Sequence, residues 1–187
     1  MNSGQTQASF FDHASNENKK AKLPSRNQIN LSGIFSDDEL LQISTQLAFG
    51  GAAARRQIKL LSGGASRGIG HSDPRVRDWI EQDKNNFQFL SEQLARARQR
   101  KDGVIDLSSL KNGDRVDLWE FSRFEADRAL RNIDHLQSGW SHLKGPTADY
   151  LTGKHKLEAR FFGHIAEHLE PLITTAMRDE AGVVTLD

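Results

Sequence analysis

Apolar residues recur at steps of three and four positions along most of the chain after residue 30. Such spacing places them on one face of an α-helix, which has ~3.6 residues per turn. The clearest run, between residues 74 and 101, comprises Val76, Trp79, Ile80, Phe87, Leu90, Leu94 and Ala97. Strand-like alternation is nearly absent, apart from a short extended stretch at 104–107. The sequence therefore predicts an all-α fold, an irregular bundle of four to six helices.

Capping and breaking residues divide this pattern into elements. Ser36 and Glu39 have the spacing of a capping box and predict a helix start. We expect that helix to end at Gly50 and Gly51, with a second helical stretch at 52–61. The long helix begins at Pro74, and a turn is expected at 111–114. Further helices are predicted at 116–143 and after residue 146, the last one with a kink at Pro171.

Composition divides the chain into a flexible polar tail, residues 1–30, and a single helical domain, residues 31–187, with a glycine-rich loop at 62–72. The tail is rich in Ser, Asn, Gln and Lys and has too few apolar residues to offset the entropy of ordering. The chain contains no cysteine, so disulfides and thiolate sites are excluded. No segment approaches the ~20 apolar residues of a membrane span. We expect a cytoplasmic protein, or one acting inside a virus particle or host cell.

Charge is balanced overall but uneven along the chain. The 25 basic and 25 acidic residues cancel, yet residues 50–101 hold eleven basic and five acidic residues, and residues 102–187 hold ten basic and fifteen acidic residues. The basic segment at 52–101 could bind nucleic-acid phosphates, or it could pair with the acidic C-terminal part of the same or another copy. The residues predicted to contact nucleic acid or a partner are Arg55, Arg56, Lys59, Arg67, Arg75 and Arg77.

Two short patterns resemble enzyme motifs. Residues 64–70 resemble the nucleotide-binding loop of short-chain dehydrogenases, but that loop must join a strand to a helix, and a helical run precedes it here. His164 and His168 fit the His-x-x-Glu-His pattern of inverted zinc peptidases. Zinc needs three or four ligands. His168 borders an apolar stripe and His164 lies just beyond it, so we expect both to be packing residues. A metal-dependent hydrolase at these histidines is the enzymatic alternative. No catalytic residue and no cofactor are predicted.

The tail contains a short aromatic motif, Gln7, Phe10 and Phe11. It resembles the peptide by which many bacterial proteins bind the replicative sliding clamp. More generally, two adjacent phenylalanines in a polar segment indicate an anchor for a partner or for the domain itself. Lys19, Lys20 and Lys22 could add electrostatic attraction.

Two further groups of residues are assigned by their position on the helices. The three tryptophans, Trp79, Trp119 and Trp140, are in phase with apolar stripes and are predicted to lie in the core. The acidic residues at 114–127, including Glu125, are expected to form a solvated face.

The sequence favours a non-enzymatic interaction or assembly protein, an adaptor or structural protein that binds a protein partner or itself. The alternative is a nucleic-acid-associated accessory factor that binds phosphates through the basic segment. No membrane partner is expected.

Overall fold

The computed structural model of this chain describes residues 27–62, 74–138 and 142–180. Within these ranges the elements are β1 (Gln28–Asn30), α1 (Asp37–Ser62), α2 (Pro74–Arg100), β2 (Val104–Asp106), α3 (Asn112–Gln137) and α4 (Pro146–Glu180). Four helices and two three-residue strands confirm the predicted all-α bundle. No helix among the described residues is both long enough and apolar enough to cross a membrane.

The helices form two antiparallel hairpins. α1 packs along α2, and α3 packs along α4, whereas contacts between the hairpins are far less extensive. The core lies where the apolar stripes of all four helices meet, and Leu47, Leu90, Leu118, Phe161 and Ile165 are fully buried there. The paired strands lie at one end of the bundle, and a cleft lined by all four helices opens towards the other end.

A two-stranded ribbon closes the first end of the bundle. β1 and β2 pair antiparallel, with Ile29 opposite Ile105 and both side chains fully buried. The Leu31 amide extends the ribbon by donating to the Gly103 carbonyl at 2.8 Å. The expected tail boundary at residue 30 is therefore wrong, because residues 28–30 form a strand whose central side chain belongs to the core.

The start of α1 confirms the predicted capping box. The Ser36 amide donates to the Glu39 carboxylate at 2.8 Å, and the Glu39 amide donates to Ser36 Oγ at 3.3 Å. The second Glu39 oxygen accepts from Arg160 of α4 at 2.8 Å, and Arg160 also donates to the Ile34 carbonyl at 2.8 Å. The cap therefore also links the start of α1 to the opposite hairpin.

α1 continues through Gly50 and Gly51, so the predicted break between two shorter helices is wrong. The reason is tertiary: a Cβ at Gly50 would lie 2.5 Å from Phe87 Cε1. Glycine at this position lets α2 approach closely. Packing along both halves of α1 outweighs the ~1 kcal/mol by which each glycine disfavours a helix.

The limits of α3 and α4 differ in detail from those expected. Residues 112–114 lie in the first turn of α3 rather than in a separate turn, because the Asp114 carboxylate accepts from the Lys111 amide at 3.1 Å and starts the helix. α3 ends at Gln137, earlier than the predicted residue 143. α4 runs from Pro146 to Glu180 and includes Pro171.

Candidate functional site: an apolar cleft between the hairpins

All four helices border a cleft of about 850 Å³ at the open end of the bundle. Its volume lies within the range of ~300–1,000 Å³ that is typical of ligand sites in proteins. The aliphatic and aromatic lining residues are Ile43, Leu47, Phe49, Leu60, Leu61, Val76, Trp79, Ile80, Phe87, Phe124, Phe161 and Phe162. The cleft is therefore a concave surface on which a site can be built.

The mouth of the cleft exposes large apolar side chains. Phe49 is 72% exposed, Leu60 is 65% exposed and Trp79 is 52% exposed. Trp79 contacts Phe124 of the other hairpin edge to face, with ring centroids 5.8 Å apart. The prediction that Trp79 lies in the core is thus wrong, whereas Trp119 is partly buried against the core. A contiguous exposed apolar patch of this kind is typical of interaction sites.

A row of phenylalanines joins the hairpins beneath the cleft. Phe121 of α3 contacts Phe87 of α2 at 4.8 Å between centroids and Phe162 of α4 at 5.7 Å, both edge to face. Phe162 in turn contacts Phe161 at 5.3 Å. These geometries are the favoured ones for aromatic pairs. They give the cleft a packed floor, in contrast to its exposed mouth.

Glu125 of α3 is a buried carboxyl in this cleft. Its side chain is only 3% exposed and forms an ion pair with Arg128, one turn further along α3. Burial raises the pKa of Glu125 to about 7, although the Arg128 charge opposes the rise. The expectation that Glu125 belongs to a solvated face is wrong, because this side of α3 packs against the other hairpin.

Asp83 of α2 faces the cleft from the first hairpin. Burial raises its pKa to about 6, and the charge of Arg128 again acts in the opposite direction. The guanidinium of Arg128 therefore acts on two carboxyls, one from each hairpin. In a site of low dielectric, insufficient counter-charge favours the protonated forms of the acids.

The remaining polar groups of the cleft come from α1 and α4. Lys154 Nζ lies 3.8 Å from Glu158 Oε1, and the second Glu158 oxygen lies 2.6 Å from His155 Nδ1. Gln46 of α1 contributes a buried Oε1 atom that has no hydrogen-bond partner. The cleft thus combines apolar walls with a polar cluster that is rich in acceptors.

The basic residues predicted to contact nucleic acid or a partner meet at the open end of the bundle. Arg55, Arg56 and Lys59 are exposed near the end of α1, and Arg75 and Arg77 are exposed in the first turn of α2. The antiparallel hairpin places these five side chains at one end, next to the mouth of the cleft. Arg67 lies outside the described residues, as do Gln7, Phe10, Phe11, Trp140 and most of the glycine-rich loop.

The two histidines considered as zinc ligands pack near the closed end of the bundle. His164 Nε2 lies 3.2 Å from the Asn30 carbonyl of β1 and donates to it. Burial, with a smaller effect of the neighbouring His164, lowers the pKa of His168. Among the described residues, no three His, Cys, Asp or Glu side chains are grouped to hold a metal ion.

Sequence reasoning missed Asp83 and Glu125, although a signal for both is present. Asp83 stands between Ile80 and Phe87 at helical spacing, and Glu125 stands between Phe121 and Ala129 in the same way. A charged residue in phase with an apolar stripe indicates a carboxyl turned towards the interior.

The comparisons with known proteins found no match: no family model, no curated protein and no solved structure is detectably similar to this chain. The functional assignment therefore depends on the geometry of the cleft and on the charges around it.

Proposed function

We propose that this chain is a non-enzymatic interaction protein, an adaptor or structural component, which binds a helical segment of a protein partner or of a second copy in the cleft. The observation that carries the proposal is the exposure of Phe49, Leu60 and Trp79 around one concave surface. Aromatic and aliphatic side chains that remain exposed in this way are the usual anchors of protein interfaces. We propose that it acts in the cytoplasm, or inside a virus particle or host cell.

The shape of the α1 wall favours a helix as the bound segment. The part of α1 that lines the cleft, residues 43–61, is roughly 27 Å long at ~1.5 Å per residue. Along it the exposed Ala53 lies between the larger exposed side chains Phe49 and Leu60, whereas Gly50 faces Phe87 of α2. Small residues let a second backbone approach, and a helix bound in a groove presents anchors at similar spacing.

A pair of neighbouring substitutions tests the cleft. Leu60 lines the cleft and Lys59 does not, so Leu60→Glu should abolish association whereas Lys59→Glu should retain it. Light-scattering mass over a concentration range measures self-association, and affinity purification from the source cell compares the recovered partners. If both variants associate like the unsubstituted chain, or lose association equally, the cleft is not the binding surface.

The basic end of the bundle supports a second candidate, a nucleic-acid-associated accessory factor. Five exposed basic side chains there could neutralise phosphates. Mixing the chain with a short DNA duplex should then raise the scattering mass at low salt, and the increase should fall steeply as salt rises. Replacing Arg55, Arg56 and Lys59 by Glu reverses their charge and should remove the increase in scattering mass with DNA, whereas Leu60→Glu should not.

We also propose that the tail provides a second attachment point through Gln7, Phe10 and Phe11. The support is the sequence itself, in which two adjacent aromatic residues stand in a polar segment. Phe10→Ala with Phe11→Ala should weaken partner binding several-fold without changing the melting temperature of the helical domain. Equal binding by this variant would remove the tail from the proposal.

A further inference from the structure

We infer that the cleft selects an apolar helix that carries one basic side chain, a Lys or an Arg, among its apolar anchors, and that this side chain binds between Asp83 and Glu125. The inference rests on the proposed function and names the chemistry of the partner segment. It is carried by the geometry of the charged groups in the cleft.

The carboxyls of Asp83 and Glu125 face the same cleft from different hairpins. Arg128 is ion-paired with Glu125 and acts on Asp83 through its charge. Within the described part of the chain, Asp83 has no salt bridge of its own. When both carboxyls are ionised, the single Arg128 guanidinium is the counter-charge for two negative charges, and this part of the cleft lacks one positive charge.

Among the described residues that line the cleft, those of α1 and α4 do not supply that charge. α1 lines the cleft with the uncharged polar residues Gln46 and Gln57. α4 contributes Lys154, which lies 3.8 Å from Glu158 of the same helix. His155 contacts Glu158 at 2.6 Å as well. The described lining residues thus include three carboxyls, those of Asp83, Glu125 and Glu158. They include only two permanently charged cations, Arg128 and Lys154.

A basic side chain in the bound helix would supply the missing counter-charge. Lys and Arg are donors without acceptors, and the buried Gln46 Oε1 is an acceptor without a donor. An acidic side chain of the bound helix in the same place would be repelled by three carboxyls. An aliphatic side chain there would leave the carboxylates of the cleft without an additional positive charge. Because Glu125 is only 3% exposed, these differences are larger beside it than at an exposed surface.

Protons compete with the basic side chain for the same carboxyls. Burial raises the pKa of Asp83 to about 6 and that of Glu125 to about 7. At pH 5.5 both carboxyls are largely protonated, and their attraction for a cation is lost. The preference for a basic segment should therefore increase between pH 5.5 and pH 8.

Three synthetic peptides of about 18 residues test the inference, a length that matches the roughly 27 Å wall of α1. They share a Leu and Ala apolar face and differ only at its centre, which is Lys, Leu or Glu. Calorimetry with the full-length chain should show the Lys peptide binding about tenfold more tightly than the Glu peptide at pH 8. The Lys peptide should also bind more tightly than the Leu peptide, and its advantage should shrink at pH 5.5.

Matched variants assign the preference to the two acids. Asp83→Asn and Glu125→Gln should remove the preference for Lys while retaining binding of the Leu peptide. Asp78→Asn, on the same helix but outside the cleft lining, should leave the preference unchanged. Thermal melts of each variant, taken first, establish that it is folded.

The possible outcomes separate the inference from the proposed function. If the Leu peptide binds as tightly as the Lys peptide, or if the acid variants keep the preference, the inference is overturned and the cleft remains a helix-binding surface. If no peptide binds, or if Leu60→Glu does not alter binding, the proposed function fails as well.

Discussion

At the scale of single residues, Glu125 couples the stability of the fold to pH. Burial raises its pKa from 4.5 to about 7, so the folded chain holds this proton more tightly than the unfolded chain. The resulting contribution to the free energy of unfolding is fully present below about pH 4.5 and is lost as the pH rises through about 7. Near pH 8 the buried carboxylate therefore makes the fold less stable.

Glu125→Gln should remove this pH dependence because the amide carries no charge. We expect the variant to be more stable than the unsubstituted chain at pH 8 by on the order of 2 kcal/mol, with little difference at pH 4.5. Urea unfolding at a series of pH values measures the effect. The exposed Glu120→Gln on the same helix is the control, and a parallel pH profile for both variants would contradict the assignment.

Gly50 and Gly51 provide a second residue-scale comparison. Gly50→Ala should destabilise the fold by about 1–2 kcal/mol, because its Cβ would overlap the Phe87 ring and overpacking outweighs the gain in helix propensity. At Gly51 an added Cβ would meet Phe87 at an ordinary 3.6 Å. Gly51→Ala should therefore be neutral or stabilising by up to about 1 kcal/mol, as read from urea midpoints. Equal destabilisation by both would refute the close-approach explanation.

At the scale of elements, the capping box sets both the start of α1 and its contact with α4. Ser36→Ala should lower the free energy of unfolding by about 1 kcal/mol, because an amide of the first turn loses its acceptor. Ser44→Ala in the second turn of α1 is the matched control and should change stability much less. Chemical denaturation provides the comparison, and an equal effect at Ser44 would argue against the cap.

Whether the limits of an element were predicted correctly depends on whether the residues that set them lie within that element. The long helix from Pro74 was predicted nearly to its last residue, because its stripe and its first-turn proline lie within the element itself. The break expected at Gly50 failed because Phe87, which explains that glycine, lies 37 positions further along the chain. The strand at Gln28–Asn30 was missed because three residues carry little pattern and their partner is β2.

At the scale of the whole molecule, the two hairpins depend on each other through Phe121. Its ring contacts Phe87 in one hairpin and Phe162 in the other, so Phe121→Ala should cost about 3–5 kcal/mol and loosen the coupling between them. Unfolding followed by tryptophan fluorescence and by far-ultraviolet circular dichroism should then cease to coincide. Phe49→Ala, at an exposed position, should keep the two transitions together.

The candidate site was predictable only in part. The basic residues near residues 55 and 75 were selected by their charge, and their role in binding stays a prediction. The antiparallel hairpin of α1 and α2 explains why they lie at one end. The cleft was not predicted, since an apolar stripe indicates which face of a helix avoids water but not which stripes meet. Trp79 shows this limit, because it is in phase with a buried stripe and still stands at the open mouth.

The sequence by itself determined the helical class, the position of most helices and the cap of α1, because periodicity and capping act within a few turns of one segment. Only the tertiary structure decided the burial of Glu125, the close contact of Gly50 with Phe87 and the existence of the cleft. Each of these depends on side chains that are distant along the chain and adjacent in space. How two hairpins pack is a property of their paired surfaces, and no single segment encodes it.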